Sequence, residues 1–440
     1  MNYKAAFHTL GCKVNSYETQ AIKEQFFALG FEEAAFDEAA DVYVINTCSV
    51  TQVAERKSRQ MLHRARKLAP DAVIAATGCY AQEDAKKLID DGAVDIVVGN
   101  NEKSRLAQIA ADRLNRKNCE PVCVTDLMRC RDYEEQKITA AGEHVRAYIK
   151  IQDGCSRFCS YCIIPYLRGR SRSRRAGDII SETKALAANG YKEIIITGID
   201  ISDFEEEGYK KGDESLLYLL QEISKTQGVE RIRLGSLECA VITENFMEGI
   251  SRIPQFCPHF HLSLQSGSGS VLKRMNRKYT PDEYYEKVKL IRKYYPDAAL
   301  CTDIIAGFPG ETEEEFEETC AFVRKVGFSR THVFKYSKRK GTKAADMPGQ
   351  IDGAVKAERS GILIAITDKI RHEYEEKFTG RAVFVLFEEL TDDGFYTGFT
   401  PEYVKIAVKS EEDLVNKIVP VVPKGFIQTK DGLMLEAKIY

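Results

Sequence analysis

The stretch "IQDGCSRFCSYCIIP", residues 151 to 165, is the most informative part of the sequence. It places Cys155, Cys159 and Cys162 in a C-x3-C-x2-C pattern with no fourth cysteine close behind. Three thiols so close together indicate a metal site, but structural zinc takes four ligands. The group is one ligand short, and this shortage needs a chemical explanation.

Length and composition set the class of protein. The 440 residues predict about three domains, and 44% hydrophobic residues is typical of globular cores. We find no long apolar run for a membrane span, and "MNYKAAFHTLGCK" lacks the apolar core of a signal peptide, so we expect a cytoplasmic protein. The 13 cysteines are spread along the chain, which favours metal or catalytic chemistry over disulfides. Because the net charge is −3, binding to nucleic acid requires a local basic patch.

Residues 1–113 alternate apolar strands with amphipathic helices, which predicts an α/β domain with a doubly wound parallel sheet. Cys12, Cys48 and Cys79 each lie at a predicted strand end, in "LGC", "NTC" and "TGC". Ligands of such sheets bind outside the carboxyl ends of the strands. One crevice could gather the three thiols, although a single free cysteine is more often a small buried hydrophobe.

The rest of the chain divides into three segments. A polar linker, residues 114–143, carries Cys119, Cys123 and Cys130, which we interpret as incidental thiols and less readily as a third metal site. Residues 144–372 predict six parallel strands curled into an open (β/α)6 barrel, a partial TIM barrel, with the C-x3-C-x2-C group directly after its first strand. Residues 374–440 predict a small β-barrel.

The missing ligand has a chemical explanation. A [4Fe-4S] cluster normally takes four thiolates, so three protein ligands leave one iron open to an outside chelator. S-adenosylmethionine can bind that iron through its amino and carboxylate groups. One-electron cleavage then gives a 5′-deoxyadenosyl radical, which the protein aims at an inert C–H bond. A zinc site completed by a distant His or Cys, or inert structural thiols, remain as alternatives.

The cysteine pattern resembles the signature of the radical S-adenosylmethionine superfamily, and the whole chain resembles its methylthiotransferases. The resemblance covers the amino-terminal cysteines, the barrel, a carboxyl-terminal domain similar to the RNA-binding TRAM domain, and the motifs "IIPYLRGRSRSR", "HLSLQSGSGSVLKRMNRKYT" and "TDIIAGFPGET". "HTLGCKVNSYET" around Cys12 most resembles the branch that modifies N6-threonylcarbamoyladenosine (t6A) in tRNA. Sister branches act on isopentenyladenosine in tRNA or on a ribosomal protein.

The resemblance implies a reaction, namely addition of a methylthio group to C2 of t6A at position 37, next to the anticodon. Cys12, Cys48 and Cys79 would hold an auxiliary [4Fe-4S] cluster whose open iron accepts sulfide. One S-adenosylmethionine would methylate this sulfur, and a second would supply the radical that removes hydrogen from C2. The amino-terminal domain would have to cap the barrel so that both open irons face one cavity.

The implied partners are a tRNA anticodon stem-loop carrying t6A, a low-potential electron donor of the flavodoxin or ferredoxin type, and a sulfide source. A monomer is expected. The rival function is a non-catalytic RNA-binding iron–sulfur or zinc protein.

Residues at other strand ends are candidates for contacts with S-adenosylmethionine, although polar residues there are often only turn formers. The candidates are Gly198, Glu238, Gln265, Asp303 and Gly307. Asp200, in "GIDISDF", departs from the residue expected for the family.

Basic residues cluster on the predicted active-site face, within residues 157–175 and 273–278. Because arginine suits phosphate, they predict RNA contacts, although some could instead bind the cofactor carboxylate or pack against the amino-terminal domain. The predicted RNA-binding residues are Arg168, Arg170, Arg172, Arg174, Arg175, Lys273, Arg274, Arg277 and Lys278. The carboxyl-terminal domain is acidic overall, so a docking role competes there with RNA contact.

Overall fold

The chain folds into an amino-terminal α/β domain, a central open barrel and a carboxyl-terminal β-barrel, which confirms the predicted fold class. This architecture comes from a computed structural model that describes residues 3–117, 120–140, 142, 145–430 and 432–440. Cys119 lies outside the described residues, as do residues 143 and 144, where the linker is predicted to end and the barrel domain to begin. None of the described helices is long and apolar enough to cross a membrane.

The amino-terminal domain is built on a six-stranded sheet. Its strands are β1 Lys4–Thr9, β2 Glu32–Ala34, β3 Val42–Thr47, β4 Val73–Gly78, β5 Ile96–Val98 and β6 Val122–Cys123. Their order is β2-β1-β3-β4-β5-β6, and every neighbouring pair is parallel. β3 and β4 are buried along their whole length, as expected for strands covered by helices on both faces.

Helices cover both faces of this sheet. They are α1 Lys13–Ala28, α2 Gln52–Leu68, α3 Cys79–Glu83, α4 Ala85–Asp90 and α5 Leu106–Leu114. α1 and α5 contribute to the core on one face, and α2, α3 and α4 to the core on the other. The chain passes from β1 to β2 and then returns to β3 on the other side of β1, so the switch point where such sheets bind ligands lies between β1 and β3.

The central domain is an open barrel. Its strands are β7 Arg146–Asp153, β8 Arg172–Ser173, β9 Glu193–Gly198, β10 Arg231–Leu234, β11 Ser236–Leu237, β12 His259–Leu262, β13 Ala299–Ala306 and β14 Arg330–Lys335. Two sheets, β10-β9-β7-β8 and β11-β12-β13-β14, are joined where β10 runs into β11. In the described part of the chain β14 pairs only with β13, so the barrel is open between β14 and β7.

Helices surround the barrel. They are α6 Ile164–Arg168, α7 Ala176–Ala188, α8 Asp213–Ser224, α9 Glu244–Ser251, α10 Gly269–Arg274, α11 Pro281–Tyr294, α12 Glu313–Val326 and α13 Gly353–Glu376, with 3-10 turns at Lys103–Arg105, Ile201–Asp203, Cys239–Val241 and Lys343–Ala345. Alternate strand residues such as Ile149 and Phe260 enter the core beneath these helices. Their neighbours Lys150 and His261 therefore face the lumen, which is polar.

The carboxyl-terminal domain is a closed five-stranded barrel. It lies at the end of the central barrel where the central strands begin, which we call the lower end. Its strands are β15 Val383–Leu390, β16 Tyr396–Phe399, β17 Lys405–Val408, β18 Ile418–Thr429 and β19 Gly432–Ile439. Arg231 Nη1 donates to Phe399 O at 2.8 Å, and Arg233 Nη1 donates to Pro401 O at 2.7 Å. Arg231 is the first residue of β10, and Arg146, the first residue of β7, donates to Glu388 of the same domain, so this domain docks where the barrel strands begin, opposite the cysteine-bearing end.

A buried ionic network joins the amino-terminal domain to the central barrel. Glu18 of α1 accepts hydrogen bonds from Lys150 Nζ at 2.7 Å and Arg168 Nη1 at 2.8 Å, and it also pairs with Lys103. Asp153 binds the same Lys150 and Arg168, at 2.6 and 3.1 Å. Burial alone would raise the pKa of Glu18, but the surrounding cations hold it well below its ordinary range. The five side chains comprise three cations and two carboxylates.

We expect Glu18→Gln to weaken the folded protein by about 3–5 kcal/mol, because three buried cations lose their shared anion. The measurement is the shift of the urea unfolding midpoint of the cluster-loaded protein. Glu33→Gln is the control, since it removes the largely solvent-exposed ion pair with Lys23 and should cost at most about 1 kcal/mol. Equal midpoints for the two variants would contradict a structural role for the network.

Candidate active site

The three amino-terminal cysteines lie at one edge of their sheet. Cys12, Cys48 and Cys79 follow β1, β3 and β4, and the last two are buried. A Cβ added to Gly11 would lie 3.1 Å from Cys48 Sγ, so the loop before Cys12 touches Cys48. The charges of Cys79 and Cys12 both act on Cys48. The fold therefore brings the three thiols into one group.

Local structure explains how two of these cysteines are positioned. Gly78 has a φ of +90°, and a Cβ there would lie 2.3 Å from Thr47 O, so only glycine lets Cys79 follow β4 this closely. Ser58 Oγ accepts from Cys48 N at 3.0 Å and donates to Cys48 O at 2.9 Å, which fixes the Cys48 backbone to α2.

The C-x3-C-x2-C loop directly follows β7, as its sequence position predicts. Gly154 has a φ of +72°, and a Cβ there would meet Arg170 O at 2.1 Å, so two chain segments approach closely at this point. Cys155 N donates to Gly169 O at 3.0 Å, and Ser160 N donates to Met275 O at 2.9 Å. The loop is thus anchored by backbone hydrogen bonds on both sides of Cys159.

Two acid–arginine pairs flank these thiols. Arg157 Nε donates to Asp200 Oδ2 at 2.6 Å, and Cys155 Sγ lies 3.8 Å from the same oxygen. Arg277 Nη2 donates to Glu238 Oε2 at 2.6 Å, while its Nη1 donates to Cys159 Sγ at 3.3 Å. The guanidinium of Arg277 is thereby aimed at a sulfur atom that would be a thiolate in a metal-bound state.

The two cysteine groups meet at the domain boundary. Cys79 packs in a small cluster with Ile163 and Leu167, which follow the barrel cysteines. The charge of Cys79 also contributes to raising the pKa of Cys162. The amino-terminal domain therefore brings Cys79 close enough to the barrel loop to act on Cys162.

Burial raises the pKa of four of the thiols, those of Cys48, Cys79, Cys155 and Cys162, and so keeps them protonated when no metal is bound. It raises the pKa of Cys48 to about 11 and that of Cys162 to about 12, with smaller contributions from neighbouring thiols. It also raises the pKa of Cys155, with the Asp200 charge adding to the effect. A bound cation would displace these protons, as it does in other thiolate sites.

The residues present fit thiolate-bound clusters. Each cysteine group offers three thiols, one fewer than a [4Fe-4S] cluster normally takes from protein. Beside Cys79, the buried network has one more cation than carboxylates, and Arg168 interacts with the Cys79 thiol. An anionic thiolate cluster would compensate this excess charge, as three thiolates on zinc also would.

The predicted S-adenosylmethionine contacts lie at different levels of the barrel. Gly198 ends β9, and a Cβ there would lie 2.8 Å from Ile201 Cγ2. Gln265 follows β12 with a φ of +73°, and its N donates to Asp303 O at 2.9 Å. Asp303 lies in the middle of β13, with its carboxylate 3.2 Å from His261 Nε2, and Gly307 N donates to Glu311 Oε2 at 2.9 Å.

Burial corrects the predicted RNA surface. Arg168, Arg172 and Arg174 are buried: Arg168 lies in the domain-joining network, Arg172 donates to backbone carbonyls, and Arg174 pairs with Glu182. These three arginines stabilise contacts within the protein. This agrees with the alternative stated above, that some of the basic residues pack against the amino-terminal domain.

Of the other six predicted RNA-binding residues, two pair with carboxylates within the protein and four are exposed. The side chain of Arg277 is only 4% exposed, and Arg274 pairs with Glu315 at 2.6 Å. The exposed basic residues are Arg170, Arg175, Lys273 and Lys278.

Sequence reasoning missed a polar group inside the barrel. Possible ligand atoms of His261, Asp303 and His332 lie within 4.8 Å of one another. Lys13, the first residue of α1, places its Nζ 6.0 Å from the ring centroid of Tyr148. The signal was present as polar residues at every second position in buried strands, as in "HFHL" and "CTDII".

Two family models match the chain. The model of the radical SAM superfamily matches residues 149–323, and the model described as "Uncharacterized protein family UPF0004" matches residues 4–99. A solved structure of the radical S-adenosylmethionine methyltransferase TsrM from Kitasatospora setae has a TM-score of 0.57 and 15% identity, covering 78% of this chain and 77% of that one. This likeness concerns the fold alone.

Curated relatives match at higher identity. The threonylcarbamoyladenosine tRNA methylthiotransferase MtaB of Bacillus subtilis is 42% identical over 94% of this chain and 92% of its own length, and that of Aquifex aeolicus is 40% identical over 88% and 93%. The tRNA-2-methylthio-N(6)-dimethylallyladenosine synthase of Thermoanaerobacter pseudethanolicus is 35% identical over 94% and 88%. The chain therefore belongs to the radical S-adenosylmethionine methylthiotransferase family.

Proposed function

We propose that this protein adds a methylthio group to C2 of t6A at position 37 of tRNA, giving 2-methylthio-N6-threonylcarbamoyladenosine. The observation that carries the proposal is the meeting of two cysteine trios at one domain boundary in a chain 42% identical to an enzyme named for this reaction. The relatives named for dimethylallyladenosine are 35–36% identical, below the 42% and 40% of the Bacillus subtilis and Aquifex aeolicus MtaB proteins, which favours t6A over the sister branches.

The cysteines would hold the two cofactors. Cys155, Cys159 and Cys162 would bind the [4Fe-4S] cluster that holds S-adenosylmethionine, and Cys12, Cys48 and Cys79 would bind the auxiliary [4Fe-4S] cluster. When bound, these groups supply a low-potential electron, the methyl and adenosyl groups, and a docking point for sulfide.

The side chains around the barrel cysteines would orient and tune the site. Arg277 donates to Cys159 Sγ, so it would stabilise the thiolate form of this ligand. Asp200 fixes Arg157 beside Cys155, which gives this departure from the expected family residue a structural role. Gly198, Glu238, Gln265, Asp303 and Gly307 stay predicted contacts of S-adenosylmethionine.

RNA would approach the cysteine-bearing face in the cytoplasm, meeting Arg170, Arg175, Lys273 and Lys278 as the exposed basic residues there. The TRAM-like carboxyl-terminal domain would act mainly by docking, since its contacts to Arg231 and Arg233 hold it at the opposite end. The working enzyme would be a monomer. It would receive electrons from a flavodoxin- or ferredoxin-type donor and sulfur from a sulfide source.

Nucleoside analysis tests the function directly. In tRNA from a strain lacking this gene and any redundant enzyme, 2-methylthio-t6A should disappear and t6A accumulate. The gene on a plasmid should restore the product. Loss of the methylthio derivative of isopentenyladenosine instead would assign the sister branch, and persistence of all methylthio nucleosides would leave the non-catalytic RNA-binding protein.

Cys155→Ala should abolish reductive cleavage of S-adenosylmethionine, because the radical cluster then has two protein ligands. The measurement is 5′-deoxyadenosine formed by anaerobically reconstituted protein with a chemical reductant. Cys130→Ala, which changes a thiol near the barrel loop in sequence but outside both trios, should cleave at the wild-type rate. Undiminished cleavage by Cys155→Ala would contradict the assignment.

Cys48→Ala should separate the two cofactors' roles. We expect 5′-deoxyadenosine to form still, because the barrel cysteines are intact, whereas methylthiolated RNA should fall below detection. Mass spectrometry of a t6A stem-loop after reaction measures the product. Full product formation would refute a sulfur-carrying role for the amino-terminal trio.

A further inference from the structure

The lower and middle lumen of the central barrel carries more positive than negative charge. Arg231 and Arg233 share one carboxylate, that of Glu193, at 3.6 and 2.7 Å. Arg146 pairs with Glu388 of the carboxyl-terminal domain. Three guanidinium groups thus share two carboxylates, which leaves one uncompensated positive charge.

One further cation adds to this excess. The side chain of Lys13 makes no ion pair or hydrogen bond with a described residue, and its Nζ lies 6.0 Å from the ring centroid of Tyr148. The carboxylate of Asp303 in the same lumen faces His261. Arg330 lies at the start of β14 and lines a cavity of about 610 Å³ together with Asp368, Glu375 and Glu402, so carboxylates accompany its charge there. Among the described lumen residues, Lys13 is therefore the cation that can take an anionic ligand.

Lys13 is the cation best placed for chemistry. It directly follows Cys12, its ammonium lies above the ring of Tyr148 on β7, and it interacts electrostatically with His332 on β14. It therefore reaches between the two edges of the open barrel. Lys13 is nevertheless solvent-accessible, so the space in front of it is not filled by protein.

The local field makes an anionic partner favourable. Lys13 lies near the two guanidinium groups of Arg146 and Arg233, with Glu193 as the carboxylate among them. A carboxylate placed beside the ammonium would relieve this repulsion and form a charge-assisted hydrogen bond.

The chemistry of the ligands decides which anion fits. S-adenosylmethionine carries a sulfonium and uses its carboxylate on iron, so it offers no free anion to the lumen. The threonyl group on N6 of t6A ends in a carboxylate, whereas an isopentenyl group is uncharged. C2 and C6 of adenine flank the ring nitrogen N1, and C6 carries N6. When C2 faces sulfur held beside Cys12, the N6 substituent lies on the adjacent side of the ring, where the side chain of the next residue, Lys13, can reach it.

We propose that Lys13 selects the substrate by pairing its ammonium with the carboxylate of the N6 substituent of adenosine. The inference rests on the proposed function, which supplies the substrate, and it assigns the preference for an anionic over an apolar N6 group.

The test uses three synthetic anticodon stem-loops and the cluster-loaded protein. One carries t6A, one carries t6A with its carboxylate converted to a carboxamide, and one carries unmodified adenosine. The wild type should bind the t6A RNA about 10- to 100-fold more tightly than the carboxamide, the range of one charge-assisted hydrogen bond. Lys13→Gln should abolish this difference and leave binding of the unmodified RNA unchanged.

Control variants separate charge from general damage near Cys12. Lys13→Arg should keep discrimination because it keeps the cation, and Lys184→Gln, on the exposed outer side of α7, should behave as wild type. Wild-type discrimination in Lys13→Gln, or equal loss in Lys13→Gln and Lys13→Arg, would overturn the proposal.

The failure of the inference can be told from failure of the proposed function. If the function is wrong, the wild type forms no methylthio product on the t6A stem-loop. If only the inference is wrong, the wild type forms the product and Lys13→Gln still rejects the carboxamide.

Discussion

The catalytic arrangement depends on the buried contact between Glu18 and Arg168. Each domain can build its own cysteine group, but chemistry that passes between them requires the two groups to be fixed face to face. Glu18 comes from α1, which begins directly after Cys12, and Arg168 comes from the helix that follows Cys162. A single ionic network therefore ties the elements that carry both groups, and its desolvated charges tolerate little displacement.

The same network contains a positive charge that no carboxylate compensates. Its three cations and two carboxylates leave one positive charge beside Cys79, where an anionic cluster would sit. Lys13 repeats the pattern in the lumen, where a carboxylate-bearing nucleoside is expected. The unpaired cation of the buried network costs stability, so the folded protein gains free energy when an anionic group binds there, whereas Lys13 is solvent-accessible and carries less of that cost. An unpaired positive charge thus lies at each place where we expect an anionic ligand, beside Cys79 and at Lys13.

The sequence predicted the features that depend on local pattern. Strand ends and cysteine spacing located both trios, because period-two burial and the Gly–Cys turns are encoded within a few residues. It missed β2 and β6, which are too short to show any period. It also assigned Arg168 to RNA, since the partner that buries it, Glu18, lies 150 residues away. Lys13 escaped notice for the same reason, because the lumen residues around it come from distant strands.

The position of the carboxyl-terminal barrel follows from charge as well. Its acidic composition disfavours phosphate, yet it suits the arginine-rich lower end of the central barrel, where Glu388 pairs with Arg146 and backbone carbonyls accept from Arg231 and Arg233. Because these arginines are engaged by the docked domain, their charge is unavailable to RNA from below. The nucleic acid is then left with the upper face, where the exposed basic residues and both cysteine groups lie. Docking at one end thereby directs the substrate to the other.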